Sequence, residues 1–349
     1  MFTLSTLVRR TDQFLVHSVP ERSRENTVRR IVETAAVAAA ALALAACGGS
    51  SEEPDPAASG DGGLTPVTVG VIPIVDVAPI YLGVEQGFFE EEGLDVTLEL
   101  AQGGAAIVPA VVSGEYQFGF SNVTSLLLAS QENLPLKIVA PGNISTGEVG
   151  ADFGAVVTMP DTGIATAADL AGRTVAVNTL NNIGDTTIRK VVDDDGGDPS
   201  AVEFVEMGFP DMPAAVTSGQ VDAAWILEPH LTMAMQDGAV PVTWNYAEVD
   251  PDLLIATYFT SDQQITEDPD TVDAFTAAME RSLAYAEENP DETRAVLDSY
   301  TEIAPEVKEA MVMPRFTPEL DQAQLQLHAD LGLEYGVFSE PVDVSALLP

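Results

Sequence analysis

The chain has 349 residues, 46% of them hydrophobic, which is enough to bury one large or two medium-sized cores. Its formal net charge is −41. Such an acidic surface repels nucleic-acid phosphates and anionic lipid headgroups, which argues against nucleic acid as a partner. A solubilising surface adapted to salt explains the acidity most simply.

The N-terminal segment is expected to direct export. Arg29 and Arg30 precede an apolar run at 32–46 that is too short and too weakly hydrophobic for a membrane span, and Leu-Ala-Ala stands directly before Cys47. This pattern resembles a bacterial lipoprotein signal, which implies cleavage before Cys47 and attachment of lipid to it. A chance cysteine in this position is the alternative.

We therefore expect a signal peptide at 1–46 and a flexible, lipid-anchored tether at 47–65. The residues before Val28 make the segment unusually long and polar, so translation is suspected to begin at Val28. Because Cys47 is the only cysteine, none is left for an internal disulfide, a metal cluster or a nucleophile.

Beyond the tether, short β-branched runs alternate with helical segments, which is typical of βαβ units around a largely parallel sheet. Strands are predicted at 67–71, 96–100, 116–120 and 136–140, with helices at 79–86, 105–113 and 123–130. A second stretch repeats the order, with strands at 174–178, 202–207, 222–227 and 239–245. An α/β fold with two similarly built lobes is predicted, one at 66–155 and 256–349 and the other at 156–255.

The remaining segments complete the first lobe and join it to the second. A strand is predicted at 253–260, and helices at 269–288, 291–300, 305–312 and 318–335 are expected to pack on the first lobe. If 155–158 carries the chain out of the first lobe and 255–259 brings it back, the two neighbouring extended segments form a double hinge.

Ligands of open parallel sheets bind beyond the carboxyl ends of the strands, where helix N-termini offer unpaired amides. The loops at these ends supply the candidate ligand-binding residues, which are Asp76, Tyr81, Gly103, Gly104, Ser121, Asn122, Asn143, Asn178, Thr179, Asn181, Asn182, Trp225 and Glu228.

Each candidate also has an ordinary structural role. Asn and Thr side chains at helix starts serve as N-caps, and a Gly pair can simply form a turn. Asp76 suits either an N-cap or an acceptor for an amine or aminopyrimidine, and Tyr81 suits either core or cleft wall. Trp225 and Glu228 can form an aromatic wall and a polar anchor, or a core residue and a helix-start charge.

Nothing in the sequence resembles an active site, so no catalytic residue, metal or cofactor is predicted. His17, His230 and His328 are scattered, and no Gly-x-Ser-x-Gly, His-Glu-x-x-His or phosphate-loop motif occurs. The acidic run at 193–198 lacks the spacing of an EF-hand calcium loop and is interpreted as a solvated turn.

Several motifs carry a family resemblance in their order along the chain. They are APIYLG at 78–83, QGFFEEEGLDV at 86–96, VSGEYQFG at 112–119, DLAGRTVAV at 169–177, and GQVDAA at 219–224 followed by Glu-Pro at 228–229. This set resembles the nitrate, sulfonate, taurine and thiamine-precursor binding proteins of ABC importers. The resemblance implies a type II periplasmic-binding-protein fold, with two α/β lobes joined by a two-segment hinge and a ligand cleft between them.

The same resemblance implies a function. The chain is expected to be the extracytoplasmic solute-binding component of an ABC importer, anchored outside the cell membrane, monomeric, and in contact with the permease and its ATPase. No arginine clamp for a sulfonate or nitrate stands in the candidate loops, so a pyrimidine-like thiamine precursor is slightly preferred to an alkanesulfonate. A ligand-sensing lipoprotein and a secreted enzyme related to pyrimidine synthases are the alternatives; the Cys-rich motif of those enzymes is missing.

Overall fold

A computed structural model describes residues 63–349, so the predicted signal peptide and nearly all of the tether lie outside the described residues. The twelve strands are β1 (Thr65–Val71), β2 (Leu94–Leu100), β3 (Phe118–Asn122), β4 (Leu136–Pro141), β5 (Asn143–Ile144), β6 (Gly154–Thr158), β7 (Thr174–Val177), β8 (Glu203–Glu206), β9 (Ala223–Leu227), β10 (Val240–Thr243), β11 (Ala256–Ser261) and β12 (Arg315–Phe316), all counted within 63–349.

The α-helices of this part of the chain are α1 (Ala78–Glu85), α2 (Phe88–Glu91), α3 (Gly104–Val112), α4 (Val123–Gln131), α5 (Ile183–Asp194), α6 (Met212–Thr217), α7 (His230–Gln236), α8 (Asn245–Val249), α9 (Asp262–Glu267), α10 (Pro269–Glu288), α11 (Pro290–Ala295), α12 (Pro305–Ala310) and α13 (Gln322–Glu334). None of the helices within 63–349 is long and apolar enough to cross a membrane.

The two lobes each contain a five-stranded sheet, and the two sheets have matching topology. The first has the order β2-β1-β3-β11-β4 and the second the order β8-β7-β9-β6-β10. In both, the first three strands run parallel, and the fourth, β11 or β6, runs antiparallel to its neighbours. This arrangement confirms the predicted α/β fold with two lobes.

The corresponding turns of the two lobes also match. Gly114 and Gly219 follow α3 and α6, and both adopt the left-handed backbone region, with φ of 77° and 71°. Glycine ends helices in this conformation without the steric cost that a Cβ would add. Parallel β strands then follow each turn, so the repeated Ser-Gly pair in the sequence marks equivalent positions of the two lobes.

The hinge consists of two short antiparallel segments, 143–145 and 253–255. The Ser145 amide donates to the Leu253 carbonyl at 2.9 Å, and the Ile255 amide donates to the Asn143 carbonyl at 2.9 Å. The chain thus leaves the first lobe about ten residues before the expected segment at 155–158, which instead lies in β6, a buried strand inside the second sheet. Its valine-rich composition explains this placement, since both faces of that strand are covered.

A third segment from near the C-terminus closes the hinge. β12 pairs antiparallel with β5, and the Arg315 side chain donates from Nε to the Ser145 carbonyl at 2.7 Å. Its Nη2 atom donates to the Pro251 carbonyl at 2.6 Å and to Asp252 Oδ1 at 2.8 Å. Arg315 therefore ties the first crossing segment to the residues that directly precede the second.

The C-terminal helices do not all pack as expected. α10 packs on α1, α2 and β4 of the first lobe, where Phe275 stacks on Phe118 with 3.8 Å between ring centroids. α13, however, contacts α4 of the first lobe and α5 of the second, and α12 contacts α7 of the second. This region therefore bridges the lobes on the side where the hinge lies.

Candidate ligand-binding site

A small cavity lies between the lobes at the carboxyl ends of the strands, and we call it the inner cavity. Asp76 follows β1, Asn122 ends β3, Asn178 follows β7 and Trp225 lies in β9; all four line it, as does Tyr246 of α8. Its volume is about 20 Å³, roughly the space that one water molecule needs. A solute larger than this enters only if the lobes separate.

Asp76 is the most unusual group in the inner cavity. Its side chain is 2% exposed, and Oδ1 accepts a hydrogen bond from Asn143 Nδ2 at 3.0 Å, while Oδ2 has no partner among the described residues. Burial raises the pKa of this carboxyl to about 7, although the Asn143 hydrogen bond partly offsets the effect. A buried acceptor left unpaired costs free energy, which a ligand's N–H or O–H donor would recover.

Three tyrosines lie near Asp76, of which Tyr246 and Tyr258 are fully buried and Tyr300 is half-buried. The hydroxyl groups of Tyr246 and Tyr258 are buried without a partner within 63–349, and that of Tyr300 donates to the Ile74 carbonyl at 3.1 Å. Burial raises the pKa of each well above its ordinary value, and the nearby Asp76 charge adds to the effect. All three therefore remain neutral hydrogen-bonding groups at physiological pH.

Tyr81 lies at the edge of this tyrosine group. Its ring stacks on that of Tyr300, with 4.0 Å between centroids and 14° between planes, and it is half-buried. Burial raises its pKa to about 12. The structure thus gives Tyr81 a packing role beside the cavity.

Trp225 forms an aromatic wall of the inner cavity. Its ring meets Phe209 and Tyr246 edge-to-face at 5.6 and 5.7 Å between centroids, and Gly184 allows this approach because a Cβ there would lie 2.8 Å from the indole. The Trp225 Nε1 donor is buried without a partner in the described chain. Such a donor is normally paired, so it is available to a ligand acceptor.

The Asn-rich loop at 178–182 follows β7. Some of its side chains line the inner cavity, and others contact the first lobe. Asn178 Oδ1 is buried and unpaired within the described residues, whereas the Asn182 side chain donates to Ser125 Oγ of the first lobe at 2.8 Å. Thr179 faces Gly103, where a Cβ would lie 3.3 Å from the threonine hydroxyl. Asn181 is exposed and adopts a φ of +53°, so it forms the turn rather than the cavity.

Gly103 and Gly104 each allow a close packing contact. A Cβ on Gly104 would lie 1.9 Å from Ser121 Oγ, so only glycine fits beside that buried serine. Ser121 Oγ has no partner among residues 63–349 and lies at the carboxyl end of β3. The two lobes therefore approach each other at Gly103 while Gly104 makes room within the first lobe.

Two candidates have structural roles. Asn122 caps α4 by accepting the Ser125 amide at 2.9 Å, although it also borders the inner cavity. Glu228 accepts from the Thr232 amide and hydroxyl at 2.9 and 2.8 Å and from the Val312 amide at 3.3 Å. Both of its carboxylate oxygens are thus occupied, which fits a helix-start charge that also ties β9 to the C-terminal segment.

Tyr246 and Tyr258 were not among the residues predicted from the sequence. Tyr258 lies in β11, all of whose residues are buried, and Tyr246 is the second residue of the short helix α8 after β10. A buried tyrosine hydroxyl normally has a partner, so a tyrosine within a strand that is expected to be buried was a usable signal.

Comparison with known proteins assigns the family. Residues 74–293, more than half of the chain, match the family described as NMT1/THI5 like. The chain belongs to the NMT1/THI5-like family. This match confirms the resemblance expected from the ordered motifs.

Two curated relatives are binding proteins. This NMT1/THI5-like chain is 25% identical over 225 residues to the formylaminopyrimidine-binding protein of Halalkalibacterium halodurans, covering 62% of the chain and 64% of the relative. It is 26% identical over 153 residues to the taurine-binding periplasmic protein of Escherichia coli, covering 44% of the chain and 45% of the relative. The matches thus span less than two thirds of either relative.

Solved structures share the fold. The alkanesulfonate-binding protein SsuA of Xanthomonas axonopodis pv. citri, bound to MOPS, aligns with a TM-score of 0.69 and 16% identity over 82% of this chain and 99% of that chain. The periplasmic nitrate-binding protein NrtA of Synechocystis PCC 6803 aligns with a TM-score of 0.68 and 14% identity over 81% and 84%. At these identities the likeness establishes the periplasmic-binding-protein fold of this NMT1/THI5-like chain.

Proposed function

We propose that this protein is the solute-binding component of an ABC importer, exported and anchored to the outer face of the cell membrane through lipid on Cys47. The two curated relatives are named as binding proteins, and the fold places unpaired polar groups between two hinged lobes. Ligand binding then selects the closed arrangement, which the permease recognises. No catalytic step is proposed for these groups.

The observation that carries the proposal is a set of buried polar atoms with no partner among residues 63–349. Asp76 Oδ2, Asn178 Oδ1, Trp225 Nε1 and Tyr246 OH belong to residues that all line the inner cavity. Native proteins pair nearly all such atoms, so several unpaired ones around one cavity indicate a ligand that pairs them.

The chemistry of these atoms favours a ligand that donates hydrogen bonds. The carboxylate and the amide oxygen accept, the indole donates, and no Lys, Arg or His of the described chain lines the inner cavity. A sulfonate or nitrate would meet a buried carboxyl and no cation, which disfavours it. An uncharged or cationic ring that bears an amino group fits better, and we propose an aminopyrimidine-like solute as the ligand class.

A thermal-shift screen of the chain from 48 onward tests the function. A ligand that binds only the folded state raises the unfolding temperature, so aminopyrimidines should stabilise the protein more than methanesulfonate, taurine or nitrate. Asp76→Asn should abolish the shift, while Asp273→Asn, on the exposed face of α10, should keep it. No shift with any of these compounds would contradict the proposed receptor function and favour a sensing or structural role.

The membrane anchor needs a separate test. Full-length protein produced in a bacterial host should fractionate with membranes, and Cys47→Ser should release it from them. Equal membrane association of both proteins would contradict anchoring at Cys47.

A further inference from the structure

A second chamber adjoins the inner cavity, and we call it the outer chamber. Its volume is about 120 Å³, and it shares Ile72, Ile74 and Phe209 with the inner cavity. Ile72 and Ile74 belong to the first lobe and Phe209 to the second, so the chamber is closed only when the lobes meet. All three side chains are buried. The outer chamber is therefore a largely apolar space that shares one wall with the inner cavity, where Asp76 lies.

Its size suits a single ring. Engineered apolar cavities of about 150 Å³ bind benzene, and the outer chamber is only slightly smaller. The inner cavity has room for about one water-sized group, such as an amino group. Together the two spaces match a solute whose amino group points inward while its ring lies between Phe209 and the two isoleucines.

One polar group at the outer chamber has no role in the described fold. His230, the first residue of α7, lines the chamber, and its Nδ1 atom is buried without a partner within 63–349. Burial lowers the pKa of the imidazole, so it is neutral at physiological pH and can accept or donate one hydrogen bond. Asp211 on the exposed rim is the other titratable group of the lining.

We propose that the outer chamber holds the ring of the solute and that His230 Nδ1 hydrogen-bonds an uncharged group at the end of that ring opposite the amino group. This inference rests on the proposed function and extends it to the size and polarity of the ligand. An anionic group at this end of the ring is disfavoured, because Asp211 faces it and no Lys or Arg among residues 63–349 lines the chamber.

Four compounds that differ at one position test this inference. They are 2-aminopyrimidine and its 5-methyl, 5-hydroxymethyl and 5-carboxylate derivatives, since positions 2 and 5 lie at opposite ends of the ring. Calorimetry with the whole chain from 48 onward should show the hydroxymethyl compound binding about three- to tenfold more tightly than the methyl compound, as one hydrogen bond provides. The carboxylate should bind most weakly.

Substitutions test whether His230 causes the preference for the hydroxymethyl compound. His230→Phe keeps an aromatic ring and should make the hydroxymethyl and methyl compounds bind equally, whereas Gln236→Ala, on the exposed end of the same helix, should preserve the preference. If His230→Phe does not fold, ¹⁵N NMR of the unsubstituted protein supplies the readout. The Nδ1 resonance of His230 should shift with the hydroxymethyl compound and stay unchanged with the methyl compound.

The outcomes distinguish this inference from the proposed function. Binding without a hydroxymethyl preference, or with a preference that survives His230→Phe, would overturn the role of His230 and leave the receptor function intact. If only taurine, methanesulfonate or nitrate binds, the ring chamber is wrong while a solute receptor remains. If none of these compounds binds, both proposals fail.

Discussion

Asn143 donates a hydrogen bond from Nδ2 to Oδ1 of Asp76 over 3.0 Å, and this contact joins the hinge to the candidate site. The Asn143 backbone carbonyl accepts the Ile255 amide of the opposite hinge segment, and β5 pairs with β12. One residue therefore contacts the unusual carboxyl through its side chain and the hinge through its backbone. A ligand that binds Asp76 thus acts within one hydrogen bond of the segment about which the lobes move.

Asp76→Asn should abolish ligand binding and stabilise the free protein. The folded pKa of about 7 lies above the ordinary value of 3.8, so folding disfavours the ionised carboxyl, and stability falls as pH rises from 3.8 to 7. The amide removes this cost, so the free energy of unfolding at pH 8 should rise by up to about 4 kcal/mol. Urea denaturation at pH 8 measures it, with Asp273→Asn as the control that should change little. Lower stability of Asp76→Asn at pH 8 would contradict the carboxyl's raised pKa.

Ligand affinity should depend on pH through the same carboxyl. An ionised Asp76 is the stronger acceptor, so a ligand that does not itself titrate should bind up to tenfold more weakly per pH unit below about 7 and uniformly above 8. Calorimetry of 2-aminopyrimidine binding between pH 5.5 and 9 measures this. A flat profile would mean that Asp76 does not contact the ligand in its ionised form.

Most of the fold could be predicted from the sequence because it depends on local patterns. The helix predicted at 269–288 is α10 to the residue, and the βαβ order places Asp76, Asn178 and Trp225 at one edge between the lobes. The hinge position could not be predicted, because β5 is two residues long and its partner β12 lies about 170 residues later. Nothing in the local sequence of either segment indicates that pairing.

The roles of individual polar residues also could not be predicted from the sequence. Asn122 and Asn178 both follow strands, yet Asn122 caps a helix while Asn178 Oδ1 is left unpaired within the described chain. Glu228 is occupied by Thr232 and by Val312, which lies more than 80 residues away in the sequence. Spacing along the chain does not distinguish a helix cap from an unpaired polar group, because that difference depends on tertiary partners.

Arg315→Ala should loosen the hinge selectively. Its guanidinium donates to the carbonyl of Ser145 in one crossing segment and to that of Pro251 just before the other, and removing it leaves those carbonyls to water. The amides of Ser145 and Ile255, which pair the two segments, should exchange hydrogen about tenfold faster. Arg281→Ala is the matched control, because that partly exposed arginine pairs with Glu91 on the first lobe, away from the hinge. Equal protection of both amides in the two variants would show that Arg315 does not hold the hinge.

Ligand binding should be visible in the fluorescence of Trp225. The chain has two tryptophans, and Trp225 lines the inner cavity with an unpaired buried Nε1, whereas Trp244 is only partly buried. A ligand that reaches Nε1 changes the polarity around the indole, so emission should shift on titration with 2-aminopyrimidine. Trp244→Phe should keep the shift and Trp225→Phe should lose it. A shift that persists in Trp225→Phe would place the ligand elsewhere.

Stability should fall in mild acid because of His328. This residue of α13 is fully buried, its Nε2 donates to the carbonyl of hinge residue Leu254 at 2.7 Å, and burial lowers its pKa to about 4. His328 therefore binds a proton near pH 6.5 in the unfolded chain but only near pH 4 in the folded chain. The stability that the neutral His328 contributes is complete above pH 6.5 and is lost between pH 6.5 and 4.

Asp76 acts in the opposite direction over the same pH range, since its raised pKa makes the folded state more stable as pH falls from 7 to 3.8. The two effects are separated in the Asp76→Asn background, where only His328 remains of the pair. There the free energy of unfolding should drop by up to about 1.4 kcal/mol for each pH unit below 6. His328→Gln, which keeps a donor for the Leu254 carbonyl and does not titrate, should flatten that slope. If the slope survives in the double variant, another buried group causes it, and the hinge does not depend on a neutral His328.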